Sequence, residues 1–396
     1  MLAPGVATSN IVKMKILNVN NTLDPVNGGG SAERTLQLSR FFAESGAVCT
    51  VLSLDTGVTD DVRKKAGGAR MVTLPCRVER YFVPSLSWHA LSELVLSVDV
   101  IQLMNHWTVL NAMVFHYARL HRKPYVVCPA GAIPIFGRSR ILKGFYDMVV
   151  GKRIIRGADA CVAISPKEIE DMEIYGVPEE KISVIPNGID PGDYIHQDNQ
   201  GFRRKFGLPD APFILFLGRL NRIKGPDLLL DAFTRVVRST GIPHHLVFAG
   251  PDSGMLHQLQ TASIREGMEE RIHFLGHVGG EDKSQAYHAA DFLVIPSRQE
   301  AMSIVVLESG IAGTPVLLTD RCGFDDVAAV KGGMVVSASV PGLQEGLMAM
   351  TGDADRLRNM GNNLEMYVRE NFLWEHTVQQ YLDLFETIIR RVRVSD

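Results

Sequence analysis

Short apolar runs alternate along the chain with longer stretches whose apolar positions recur at helical spacing, the rhythm of doubly wound α/β domains. Two series of such runs are present. The first predicts strands at Lys15–Val19, Val48–Leu54, Val100–Leu103, Tyr125–Cys128, Cys161–Ile164 and Ile182–Ile185. The second begins at Phe213 and continues with Leu246–Ala249, Ile272–Leu275, Phe292–Ile295, Val316–Leu318 and Met334–Val336. Between them, Pro186 to Asp193 and His196 to Gly201 are rich in turn formers and polar residues, as a linker should be, which puts a domain boundary near residue 190. Trp374 to Val392 reads as a final amphipathic helix with Val378, Tyr381, Leu382, Leu384, Phe385, Ile388 and Ile389 near one face. The expected division is a leader over 1–13, domains over 14–190 and 191–373, and a terminal helix over 374–396.

Composition narrows the functional classes. A length of 396 residues exceeds the usual single core, and 46% apolar against 21% charged residues suffices for two ordinary ones. A net charge of −3 lacks the basic excess of a nucleic-acid binder, so no nucleic-acid partner is expected. Cys49, Cys76, Cys128, Cys161 and Cys322 are scattered and form neither a Cys-x-x-Cys pair nor a zinc-like cluster, which points to the reducing cytoplasm. No apolar run reaches the roughly 18 residues of a membrane span, and Met1 to Lys13 has no signal-peptide pattern, so it is expected to be a disordered tail.

The most informative chemistry lies between Asp291 and Val316, where a buried strand, a small-residue turn and a helix carry two acids, Glu300 and Glu308. Glu300 sits just past a strand end, where open α/β sheets bind ligands. Ser303 is placed to cap a helix through Ile311 whose first-turn N–H groups favour an anion. Arg219 and Lys224 follow the Phe213 strand and suit a diphosphate, although surface charge is the common alternative. Gly28, Gly29 and Gly30 lie between a strand and a helix expected over Ala32–Glu44; they allow a close backbone approach to phosphate, or merely turn the chain. Their spacing fits neither a dinucleotide fingerprint nor a Walker loop, which argues against an oxidoreductase.

The Glu-x7-Glu spacing in this setting resembles the signature of the retaining glycosyltransferases of family 4 (glycosyl transferases group 1), which have the GT-B fold. Gly218-Arg219-Leu-Asn-Arg-Ile-Lys224-Gly225 resembles that family's phosphate segment, Pro186-Asn187-Gly188 its passage between domains, and Gly28-Gly29-Gly30 its first glycine loop. The resemblance implies two Rossmann-like domains facing a cleft, with a C-terminal helix crossing back to the first. It implies a nucleotide-diphosphate sugar as donor substrate, held by Gly29, Gly30, Gly218, Arg219, Lys224, Gly250, Val278, Glu300, Ala301, Met302, Ser303, Ile304 and Glu308. Glu308 would accept from ribose hydroxyls, and Glu300 would support positive charge at the anomeric carbon, with Arg219 and Lys224 on the leaving diphosphate. A glycan, lipid-linked or small-molecule hydroxyl would be the acceptor.

The acceptor side departs from that family's pattern. Its usual Asp-x-x-His-x-His string is here Asp99-Val-Ile-Gln102-Leu-Met104, with His106 displaced by two positions. His106 is the expected replacement as a catalytic or sugar-contacting group, Asn105 a lesser one, and Ala130 and Gly131 stand where relatives carry Pro-His-Gly or Pro-Arg-Gly. A catalytically weakened GT-B scaffold acting as a binding subunit is therefore the alternative function. No metal is expected: Asp353-Ala-Asp355 opens a late helix, where acids serve as caps. Finally, residues 136–156 hold six basic residues, Arg138, Arg140, Lys143, Lys152, Arg153 and Arg156, against one acid, Asp147, interleaved with apolar positions. This stretch is expected to touch an anionic membrane peripherally at its cytoplasmic face, the plainer alternative being a solvated helix over an ordinary core stripe.

Overall fold

The computed structural model describes residues 13–24, 28–85, 88–133 and 140–395. The expected leader lies outside them but for Lys13, as do residues 136–139 of the basic stretch. Two compact units emerge. The first comprises the described residues up to Ala163 together with Ile169–Ser183 and the chain from Val378 onward; the second comprises Ile164–Glu168 and Val184–Thr377.

In the first unit the strands are β1 (Lys15–Val19), β2 (Val48–Leu54), β3 (Arg70–Leu74), β4 (Cys76–Val78), β5 (Val83–Pro84), β6 (Val100–Met104), β7 (Tyr125–Cys128), β8 (Ala160–Ala163) and β9 (Ile182–Val184). Seven of them form a sheet in the order β3-β2-β1-β6-β7-β8-β9, with parallel register from β3 to β8. β1, β6 and β7 are near-continuous apolar runs because both faces of a parallel sheet are covered. The sequence pattern misses β3, a half-buried edge strand, and the short antiparallel β4–β5 pair. The first helix opens at Gly29, three residues ahead of the expected start, so Gly29 and Gly30 are first-turn residues and not a free loop. Gly29 keeps a left-handed φ of 54°, which a side chain would oppose.

Residues of the C-terminal helix (Trp374–Ser395) complete this unit's core. Val378, Tyr381, Phe385 and Ile388 are buried, and the Arg34 guanidinium donates to the Tyr381 hydroxyl at 2.8 Å. Phe42 packs edge-on to Tyr381 and tilted against Phe385, at ring separations of 6.0 and 5.7 Å. Burying each such side chain is worth roughly 2 kcal/mol, so a charge at Phe385 would unseat the helix.

The second unit holds β10 (Phe213–Leu217), β11 (His245–Ala249), β12 (Ile272–Gly276), β13 (Phe292–Ile295), β14 (Val316–Thr319) and β15 (Gly333–Val336). They form one parallel sheet in the order β12-β11-β10-β13-β14-β15. The polar linker expected around residue 190 is built into this unit, which begins at Val184. Ile189 exchanges backbone hydrogen bonds with Phe372 and Trp374, and a side chain at Gly188 would collide with the Trp374 indole. Turn-forming composition marked these residues as loop but could not show that they are fastened to one side.

Both sheets reverse direction of strand addition once, between β1 and β6 in the first and between β10 and β13 in the second. At such a switch point the two loops leaving the carboxyl edge diverge and open a crevice, which is where doubly wound sheets bind ligands.

Candidate active site

At the switch point of the second unit, the loop after β10 carries Gly218, Arg219 and Lys224, and the loop after β13 carries Ser297 to Ser303. The first loop is tied to the turn after β11. Leu220 N–H donates to Pro251 O at 3.0 Å, Ser253 N–H donates to Leu220 O at 3.2 Å, and a Cβ on Gly250 would lie 1.9 Å from the Gly218 carbonyl oxygen. Glycine at 250 is thus what lets the two strand ends close on each other. Gly225, at φ 69°, similarly seats the start of the following helix (Pro226–Thr240) against Pro296 O.

The β13 loop is clamped from both sides. Arg298 makes a bidentate pair with Asp227 at 2.8 and 2.7 Å, and its N–H donates to Ile223 O at 2.7 Å. Burial opposes ionisation of Asp227, yet the hydrogen bond and charge of Arg298 outweigh it and hold that carboxyl below its usual range. On the other side Glu300 N–H donates to Arg321 O at 2.8 Å and Ser303 N–H to Cys322 O at 3.3 Å. Burial, then the charge of Glu300, pushes the Cys322 thiol up to about 12, so it stays neutral beside the carboxylate.

Within this frame the Glu300 carboxylate meets Lys224 Nζ at 2.9 Å and accepts from the Ser297 hydroxyl through the same oxygen, Oε1. Lys224 remains 28% exposed and Glu300 9%, so the pair borders the surface. Arg219 is exposed on the same loop, whereas Val278, which follows β12, is buried. Met302 is buried and its sulfur accepts from Asn187 N–H at 3.4 Å.

The helix that follows (Ile304–Ile311) begins at the expected N-cap, Ser303, but without the expected side-chain cap. The Val306 N–H that a capping hydroxyl would take is bound by the Ser303 carbonyl at 3.1 Å instead, leaving the Ser303 Oγ buried with no partner. Such an orphan is costly and suggests a ligand group as its partner.

Glu308 on this helix is 1% exposed. Its two oxygens accept from Lys283 Nζ at 2.5 Å and from the Tyr287 hydroxyl at 2.6 Å. Burial first, and then the Glu308 charge, raises the Tyr287 phenol well above its ordinary value, so it remains a proton donor to the carboxylate.

In the first unit the residues that meet just past β1 and β6 are amides. Asn20, just past β1, donates to Ser31 O at 3.0 Å and to the Thr35 hydroxyl at 2.9 Å, and accepts from Asn105 Nδ2, just past β6, at 3.0 Å. Asn105, Ala130 and Gly131 all have left-handed φ, of 64°, 49° and 81°. Two non-glycine residues in that region at adjacent strand ends store strain of the kind found at ligand sites.

His106 does not take the expected sugar-contacting place. Its side chain is 0% exposed, its Nε2 lies 2.8 Å from Asp147 Oδ1, and the rings of Trp107, Tyr146 and Tyr175 stand edge-on to it. Asp147 also accepts from Trp107 Nε1 at 3.1 Å and from the Tyr175 hydroxyl at 2.6 Å. A carboxylate buried in apolar surroundings captures every donor in reach, and that draws the imidazole inward.

The Asp353 side chain accepts from Arg356 N–H at 2.9 Å and caps its helix as expected. Among the described residues no three His, Cys, Asp or Glu side chains gather as metal ligands, and no helix is long and apolar enough to cross a membrane.

Two family descriptions match the sequence in succession: Glycosyltransferase Family 4 over residues 28–193 and Glycosyl transferases group 1 over residues 198–365. The chain belongs to glycosyltransferase family 4. A D-inositol 3-phosphate glycosyltransferase of Nocardia farcinica is 32% identical over 60% of this chain and 54% of its own length. The match thus spans about half of that relative. Among solved structures, the Anabaena HepE protein in complex with UDP and glucose superposes with a TM-score of 0.78 at 17% identity, covering 94% of this chain and all (100%) of the other. Sucrose-phosphate synthase from Thermosynechococcus elongatus does so with 0.76 at 19% identity, covering 96% and 100%. These neighbours and the two doubly wound units give this family 4 member the GT-B fold.

Five residues that brace the candidate site of this family 4 chain escape a reading of its sequence. Ser297 and the Arg298–Asp227 pair act across sequence-distant loops, and nothing local marks them. Lys283 and Tyr287 did leave a signal: a cation and a phenol at i and i+4 on one helix (Glu281–Ala289) share a face and therefore a partner.

Proposed function

We propose that the protein transfers a sugar, with retention of configuration, from a nucleotide-diphosphate sugar to a hydroxyl acceptor, and that it needs no metal. The observation that carries this reading is the Lys224–Glu300 pair at the switch point of the second sheet. Lys224 and the exposed Arg219 suit the diphosphate: on donor entry the ammonium would pass from Glu300 to the phosphate oxygens and neutralise charge that grows as the glycosidic bond breaks. Glu300, held by Ser297, would then face the anomeric carbon as it becomes cationic.

Further support comes from the rest of the segment. The unpartnered Ser303 hydroxyl and the helix start beside it offer hydrogen bonds to a β-phosphate. Glu308, fixed by Lys283 and Tyr287, is an acceptor for the ribose hydroxyls. In this reading the leaving phosphate takes the acceptor proton on the same face. The UDP held by the Anabaena neighbour makes UDP-sugars the first donors to try, and the relatives named for inositol phosphate make a small phosphorylated polyol the first acceptor, ahead of a glycan or lipid-linked hydroxyl. Dependence on a nucleotide-sugar pool would place the reaction in the cytoplasm.

Thermal unfolding against UDP, GDP, ADP and NAD tests the donor site. Ligand at 100 times its dissociation constant adds about 2.7 kcal/mol of stability. One nucleoside diphosphate should stabilise the protein, with the gain lost in Lys224→Ala, and its sugar conjugates should then be turned over. Stabilisation by NAD alone, or by none of the panel, would overturn the reading; nucleotide binding without turnover of any sugar conjugate would make the chain a scaffold.

A further inference from the structure

Residues 140–156 form one continuous helical stretch, helical from Arg140 to Tyr146, π-helical over Asp147–Gly151, and helical again from Lys152 to Arg156. On an ordinary surface helix the apolar stripe faces the core. Here a second apolar stripe faces outward. Ile141, Leu142, Phe145, Met148 and Val149, spaced as one helical face, are exposed, Ile141 by 91% and Met148 by 69%. Turned inward are Ile154 and Ile155, with Tyr146 and Val150 packed on the core beside them, and Asp147, whose carboxylate is bound by His106, Trp107 and Tyr175. The wide π turn presents that one acid to the interior while Met148 and Val149 stay outside.

The exposed side of the stretch is correspondingly basic, carrying Arg140, Lys143, Lys152, Arg153 and Arg156 with no exposed acid between them. Beside the stripe lies a cavity of about 600 Å³, lined by Gly144, Met148, Ile174 and Tyr175 together with Lys152, Arg153 and Arg156; the one acid that reaches it, Asp147, is occupied by its three donors. Ile174 on its rim is 70% exposed. The acids of the neighbouring helix, Glu170, Asp171 and Glu173, do not line it.

We propose that this face docks on an anionic bilayer, with the apolar stripe entering the headgroup boundary and the basic cavity receiving a lipid headgroup phosphate. Large apolar side chains gain by leaving water only if what covers them is apolar, and flanking cations select a surface that is also negative. A bilayer interface meets both conditions at once. This assignment stands on the first unit alone and does not depend on which donor the second unit binds.

Vesicle flotation at about 0.1 M salt decides it. The protein should float with vesicles containing about 30 mol% phosphatidylglycerol and remain soluble with pure phosphatidylcholine. Ile141→Asp/Phe145→Asp should abolish flotation. Lys152→Glu/Arg153→Glu should lower partitioning by at least about 25-fold, the product of roughly fivefold for each cation removed near a charged surface. All four positions lie on the exposed face or the cavity rim, so unchanged circular dichroism and an unchanged nucleotide-induced thermal shift would separate lost docking from lost folding or lost donor binding. The proposal is overturned if the wild type stays soluble with both vesicle types, if either variant floats like the wild type, or if sedimentation shows a dimer that Ile141→Asp dissolves.

Discussion

The two units present unlike chemistry at equivalent places. At the β10–β13 switch point the second unit places a cation against a carboxylate, Lys224 on Glu300, in a loop braced by the Arg298–Asp227 pair. At the β1–β6 switch point the first unit places an amide against an amide, Asn105 on Asn20, among left-handed residues, and the Asp147 carboxylate is held apart in its own buried cluster. Charge at a crevice can stabilise charge that develops in a reaction, whereas amides and fixed backbone discriminate hydroxyl groups by geometry. The same fold thus gives one half suited to ionic chemistry and one suited to recognising hydroxyl groups.

The largest effect expected from breaking this contrast is at Glu300. Glu300→Gln keeps the Ser297 contact but removes the charge, and turnover should fall by about 10²–10³, with the donor dissociation constant changing far less. Steady-state kinetics beside a binding titration reads both, and an unchanged kcat would remove Glu300 from the chemistry.

Next in size is Asp147→Ala, which leaves His106, Trp107 and Tyr175 without their acceptor. It should destabilise the first unit by about 3 kcal/mol while sparing nucleotide binding by the second, seen as a lower first transition in calorimetry. A fall in nucleotide affinity as large as the fall in stability would show that the two units do not divide the work.

Lys283→Ala should raise KM for the nucleotide sugar about tenfold with little change in kcat, because it loosens Glu308 without touching the reacting bond. Equal loss in kcat would move Glu308 into the reacting centre.

The smallest expected effect is on acid sensitivity. Burial, and then the charge of His273, holds His245 at about 4 against its ordinary 6.5. The unfolded chain takes this proton near 6.5 and the folded one only near 4, so that share of the second unit's stability is present above 6.5 and lost as pH falls through that window. Burial disfavours the Asp147 carboxylate, but the bonds from His106, Tyr175 and Trp107 hold it below its ordinary 3.8, so its contribution survives until lower pH. Between pH 6.5 and 4 the second unit should weaken first, and His245→Phe should flatten that slope in pH-dependent denaturation.

By itself the sequence determined the two parallel sheets, most of their strands, and the donor-side motif. Central strands of a parallel sheet must be apolar throughout, and the residues from Phe292 to Glu308 are a local strand-loop-helix whose spacing survives in one dimension. The edge strand β3 and the β4–β5 pair were illegible because half-buried strands carry no continuous apolar run. Tertiary structure alone decided which way side chains turned. His106 was drawn inward by Asp147, 41 residues away in the chain, and Lys283 and Tyr287 were brought onto Glu308 across 25 and 21. The stripe from Ile141 to Val149 was left outside while Ile154, Ile155 and Asp147 of the same stretch turned to the interior. Periodicity fixes that a helix has an apolar face; only packing against the rest of the chain decides whether that face is buried.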